Sequence, residues 1–117
     1  MDSVLEEKSI EFSVRIVNAY KYIIAKHKEF VMSKQLLRCG TSIGANIAEA
    51  RRGYSRADFA AKLGIALKEA GEVEYWLKIL HRTGYLNDSQ YKSLNADIQE
   101  IIRILVKSCT TASSSEE

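Results

Sequence analysis

With 117 residues, 46 % hydrophobic and 27 % charged, the chain has the size and balance of one globular domain that buries about 65 % of its unfolded surface in a single core. Seventeen basic against 15 acidic residues give a formal charge of only +2. No apolar run approaches the roughly 18 residues of a membrane span, the N-terminus lacks a signal-peptide layout, and Cys39 and Cys109 form no CxxC. A cytoplasmic protein with reduced thiols and no membrane association is therefore expected.

Proline is absent, which favours long helices. Three interruptions, at Lys26-His27-Lys28, Gly53-Tyr54-Ser55 and Thr83-Gly84-Tyr85, divide the chain into helices near 3–26, 30–52, 56–83 and 88–109. Short connections between them predict an all-α, antiparallel up-down-up-down four-helix bundle over residues 1–109. Residues 110–117, a Ser/Thr/Glu run with nothing to bury, read as a disordered C-terminal tail.

The first helix opens on Ser3 and Glu6 at capping-box spacing and carries two apolar lines, Phe12, Ile16, Tyr20, Ile23 and Ile10, Val17, Ile24. In the second, Gln35, Arg38, Ser42, Asn46 and Glu49 share an arc of about 80° at 100° per residue. Leu36, Ile43 and Ile47 lie beside it, and Gly40, Gly44 and Ala48 form a third stripe. Two interior glycines cost roughly 2 kcal/mol of helix propensity, so close approach of another helix is expected to compensate. The glycines do not form a phosphate-cradling motif, and no strand precedes them. The polar stripe is either solvated or meets Glu69 and Glu72 on the third helix, where an arginine fork would fix register.

The third helix begins at Ser55 with Asp58 and repeats Phe59, Leu63, Ala66, Ala70, Val73, Leu77 and Leu80 in coiled-coil steps. Gly53 and Gly84 stand where left-handed residues close helices, with Leu86 as the apolar contact beyond the second. Asn87 and Gln90 start the fourth helix, whose seam is Tyr91, Leu94, Ile98, Ile101 and Leu105. Ile65, Trp76, Ile79, Ile102 and Val106 fall outside these seams. Such surplus apolar surface predicts a homo-oligomer with Ile65, Trp76, Ile79 and Ile102 at the interface, unless the helices are rotated so that a broader stripe is core.

No nucleophile–base pair points to catalysis. His27, His81, Cys39 and Cys109 lack the pairings of a zinc site, and no cofactor or metal is expected. Arg51, Arg52 and Arg56 surround Tyr54, a group suited to phosphate contact and base stacking, although arginines ending a helix also complement its dipole. Setting aside Glu116 and Glu117 leaves 17 basic against 13 acidic residues, +4. Lys26, His27, Lys28, Lys34, His81 and Arg82 are expected at the opposite end of the bundle.

The stretch QLLRCGTSIGANIAEA, continuing through RRGYSRADFAAKLGIALKEAGEVEYWLKIL, resembles the four-helix bundle family of the 23S rRNA intervening sequence protein over about residues 5–107. The spacing of Gln35, Arg38, Ser42, Asn46, Ala48 and Glu49 carries the likeness; Cys39 and Ala50 replace an expected alanine and glycine. The resemblance implies a small non-enzymatic helical protein assembling as a homopentamer, related to the basic accessory protein of diversity-generating retroelements. Two functions follow. One is an oligomer that binds structured RNA, or works with a nucleic-acid-handling protein, through its basic loops. The other is an oligomeric scaffold for protein partners with no nucleic-acid role.

Overall fold

Four helices build the chain in the computed structural model, which describes residues 3–114 and the side chains of 4–112. They are α1 (Ser3–His27), α2 (Met32–Arg51), α3 (Arg56–Arg82) and α4 (Asp88–Ser114), with no strand among the described residues. Loops of four or five residues, 28–31, 52–55 and 83–87, join them. Helices of 25 to 27 residues reach about 40 Å at 1.5 Å per residue. The molecule measures 49 × 21 × 20 Å, so it is one helix long and two helices wide in each cross direction. Each short loop must then reverse the chain, and the bundle runs up-down-up-down. α1 packs on α2, α2 on α3, α3 on α4, and α4 returns to α1, while diagonal pairs do not meet.

Local chemistry sets the helix ends. α2 starts at Met32, two residues later than its sequence pattern suggests, because Glu29 accepts from the backbone N–H groups of Val31, Met32 and Ser33 at 2.8 to 3.0 Å. Lys28, at φ 55°, takes the left-handed turn out of α1. Ser55 accepts from the N–H of Asp58, whose carboxylate accepts from the N–H of Tyr54. Asn87 and Gln90 bond reciprocally at 2.8 Å, a complete capping box. Gly84, at φ 86°, closes α3 with Tyr85 N–H on the Leu80 carbonyl and Gly84 N–H on that of His81, the Schellman pattern. Leu86 is buried beneath it. Gly53 does not take the expected left-handed conformation: the only positive-φ glycine among the described residues is Gly84. The Ser3 cap lies outside the described side chains; Glu6 instead pairs with Arg51 at 2.8 Å.

The core follows the seams. Leu63, Ala66, Ala70, Val73, Leu77 and Leu80 of α3 face Leu94, Ile98, Ile101 and Leu105 of α4, all buried, with Phe59 and Tyr91 half-buried at the margins. On α1 the seam is Leu5, Ser9, Phe12, Ile16, Ala19 and Ile23, so Ala19, rather than Tyr20, packs against the core. Ser9 satisfies its hydroxyl on the Glu6 carbonyl at 2.7 Å.

One expectation about the ends is corrected. α4 continues past 109 to Ser114, because its heptad spacing reaches one step further and seats Ala112 in the core with Cys109 beside it. Residues 115–117 of the anticipated tail lie outside the described residues. The α1–α4 seam is the thinnest of the four and is crossed by polar groups: Lys8 pairs with Glu100, and Arg15 pairs with Asp97 at 2.5 Å and reaches Ser93 Oγ at 2.7 Å.

Candidate functional site

The loop joining α2 to α3 presents the sequence's basic cluster to solvent. Arg51, Arg52, Tyr54 and Arg56 are all exposed, and Tyr54 is fully so. The four are not equivalent. Arg51 is committed to Glu6 of α1, whereas Arg52 and Arg56 have no carboxylate partner among the described residues. The conformation is held by main-chain bonds from Arg52 and Gly53 to the Glu49 and Ala50 carbonyls and by the Ser55 cap, leaving the Arg52, Tyr54 and Arg56 side chains unengaged. Tyr54, which lies between Arg52 and Arg56 in the sequence, offers a stacking plane on the same loop as two unpaired guanidinium groups.

The polar stripe of α2 resolves into one interhelical fork, one further ion pair to α3 and several local bonds. Arg38 donates to Glu69 at 3.0 Å and to Glu72, and its Nε lies 3.5 Å from the Gln35 side-chain oxygen Oε1. The Trp76 indole N–H donates to the same Glu72 carboxylate at 3.3 Å. Arg38 and Trp76 therefore hold the Glu72 carboxyl below its ordinary range despite partial burial. Ser42 and Asn46 spend their side chains on carbonyls of their own helix, Arg38 and Ser42 respectively. Glu49 pairs with Lys62 at 3.4 Å, so neither Asn46 nor Glu49 joins Glu69 and Glu72. Beneath the fork lies Cys39, whose thiol is pushed up to about 12 by burial and the nearby Glu72 charge. Its single hydrogen bond is to the Leu36 carbonyl. The fork fastens α2 to α3 in register and presents no activated nucleophile.

The outward apolar residues divide differently from the expectation. Trp76 and Ile102 pack against the chain's own core, Ile79 is half-buried, and only Ile65 of the four is strongly exposed. Between α1 and α2 runs a groove lined by Ile10, Val14, Val17, Gly44 and Ala45, with Ser13, Asn18 and Lys21 as its polar members. Ile10 and Val14 are more than half exposed. The second apolar line of α1 already contained Ile10 and Val17; Val14, four residues after Ile10 and three before Val17, widens that same line and was missed. The glycine stripe also splits. Gly40 is buried against Ile16, Gly44 lies at the groove floor near Ser9 and Ser13, and Ala48 is exposed.

At the other end of the bundle aromatic rings tie the loops together. His27 meets Tyr22 and Tyr85 edge-on at 5.9 and 5.3 Å. His81 stacks on Tyr91 at 4.4 Å and lies 2.6 Å from Asp88, whose carboxyl it holds below its usual range. Among the described residues no three His, Cys, Asp or Glu side chains gather as metal ligands, and no helix is long and apolar enough to cross a membrane.

Comparison with known proteins agrees with this architecture. A family model described as 23S rRNA-intervening sequence protein matches residues 1–107. The chain is also 58 % identical to a protein of unknown function from the S23 ribosomal protein family of Bacteroides thetaiotaomicron, known from a crystal structure at 1.70 Å. That match covers 90 % of this chain and 97 % of the other, with a TM-score of 0.89. No curated protein is similar to it.

Proposed function

The chain belongs to the 23S rRNA-intervening sequence protein family, and from that premise we propose that it is a non-enzymatic, cytoplasmic, homo-oligomeric helical bundle that binds structured RNA. Five copies is the ring size implied by the family resemblance. The observation that carries the RNA reading is the α2–α3 loop, where a fully exposed Tyr54 stands with Arg52 and Arg56, neither of them neutralised by a carboxylate. Repetition of this loop around an oligomer multiplies its phosphate contacts. Support for assembly comes from the exposed Ile10 and Val14 beside the small residues Gly44 and Ala45, an apolar strip of the kind that marks an interface.

The test is a titration of labelled structured RNA, read by anisotropy at about 50 and about 200 mM salt. Replacing Arg52, Tyr54 and Arg56 with alanine is expected to weaken binding at least tenfold while leaving assembly mass unchanged. Arg51 is spared because its loss would also break the contact to Glu6. Affinity unchanged in the triple variant would exclude this loop as the RNA contact. The scaffold reading, with protein partners only, gains if the wild-type chain ignores RNA at both salts.

A further inference from the structure

The formal charge of +2 conceals a strong polarity along the bundle axis. Consider the end formed by loops 28–31 and 83–87, taking seven residues, about two turns, from each helix that reaches it. It holds eight lysines and arginines, of which Arg38 is already paired with Glu69 and Glu72 of α3, against two carboxylates. The same count at the opposite end, around loop 52–55, gives five against four.

Both carboxylates of the basic end are already in use. Glu29 is spent on the N–H groups that open α2, which hold its carboxyl below its ordinary range although burial pushes it up. Asp88 faces His81 at 2.6 Å. Lys21, Lys28, Lys34, Lys78 and Arg82 are exposed, and none has a carboxylate within 4 Å among the described residues. That these helix ends form one surface follows from the ring contacts of His27 with Tyr85 and of His81 with Tyr91. At its tip Phe30 is 55 % exposed, two residues from Lys28.

We propose that this end of the bundle is a phosphate-backbone-binding surface for nucleic acid, separate from the α2–α3 loop at the other end of the 49 Å-long molecule. A face about 20 Å across spans a duplex segment carrying on the order of ten phosphate charges. Five unpaired cations, on the ends of α1, α2 and α3 and on the 28–31 loop, meet several of them at once, and Phe30 adds a stacking plane for an unpaired base. The surface meets the backbone, because its unpaired side chains are four lysines and an arginine, which bind phosphates through charge. A lipid bilayer fits less well: Phe30 and Val31 are the only strongly exposed large apolar residues at this end among those described, too little to hold a membrane by insertion. This surface does not depend on the loop at the other end, and the two are separable by mutation.

The experiment uses the full chain and a labelled RNA hairpin of about 16 base pairs. In K28E/K34E/R82E, all at exposed positions, affinity is expected to fall at least tenfold and the logarithmic salt slope to flatten by roughly three. The thermal melt followed by circular dichroism should stay near that of the wild type. Wild-type affinity and slope in this variant would overturn the proposal, whatever the variant of the Arg52 loop does. Loss in both variants supports two surfaces on one bundle; loss only in the Arg52 loop variant leaves that loop as the sole contact. If the wild-type chain ignores the hairpin but sediments with vesicles containing phosphatidylserine, and K28E/K34E/R82E does not, the surface is a lipid site and the nucleic-acid assignment is overturned.

Discussion

A methyl group on Gly40 would lie 2.7 Å from Cγ2 of Ile16, well inside contact distance. This pair sets how closely α2 approaches α1, and it answers why a glycine costing about 1 kcal/mol of helix propensity stands mid-helix. The obstruction is a branched side chain anchored in the core, which gives little. Gly40→Ala is therefore expected to lower stability by about 1–3 kcal/mol, the overpacking cost exceeding the propensity gain. Gly44 is the control. Its added Cβ would meet Ser9 and Ser13 at 3.5 Å, an ordinary contact, so Gly44→Ala should be neutral or raise the melting temperature. Denaturant unfolding of the two variants decides it; a Gly40→Ala variant as stable as the wild type would contradict the close-approach account.

Acid should weaken the bundle through Glu29 and Glu72. Both carboxyls are held below their ordinary value of 4.5, Glu29 by backbone N–H donors against its burial and Glu72 by Arg38 and Trp76. A depressed folded-state value means that the ionised form favours folding. That contribution is complete above about 4.5 and is lost as the pH falls through the lower folded values. Glu29→Gln should cost about 1 kcal/mol at neutral pH, the scale of a helix cap, and flatten the acid side of a stability–pH profile. Arg38→Ala should flatten the same limb while costing little at pH 7, because its guanidinium is 48 % exposed and solvent screens the fork. Unfolding midpoints measured between about pH 3 and 7 check both signs.

The two thiols should differ in reactivity. Cys39 is fully buried, with its thiol raised to about 12, so almost no thiolate is present at pH 8. Cys109 is only partly buried. One equivalent of thiol per chain should react with a disulfide reagent under native conditions, assigned to Cys109 by its loss in Cys109→Ser, and a second only in denaturant. Fast native labelling of Cys39 would show that the α2–α3 interface opens readily.

Assembly is tested at the α1–α2 groove. Mass measured by light scattering at micromolar concentration should be a multiple of the 13.2 kDa chain, and Ile10→Glu with Val14→Glu should return it to that value. Ile65→Glu tests the outer face of α3 in the same way. Trp76→Ala belongs to a different class, because the ring packs on the core: it should lower stability whether or not the protein assembles. A wild-type chain of single mass would end the oligomer reading.

Periodicity and punctuation alone determined four helices, their order, the seams of α3 and α4, and the caps at Ser55 and Asn87, because each depends on residues three, four or seven positions apart on one helix. Helix rotation was not legible in that way. Ala19 or Tyr20, and whether Trp76 faced inward, were decided by what α1 and α3 met across the core. The same holds for the ends: α4 runs on to Ser114 because a bundle neighbour gives Ala112 something to bury against. At the polar stripe, spacing grouped five side chains, but only Arg38 reached Glu69 and Glu72 on α3, since Ser42 and Asn46 found carbonyls of their own helix and Glu49 found Lys62 of α3 closer to hand. Charge was hidden most completely. A sequence sums its ions, whereas the fold sorts them to two ends and spends the carboxylates of one end on a helix start and a histidine, leaving its cations to face solvent.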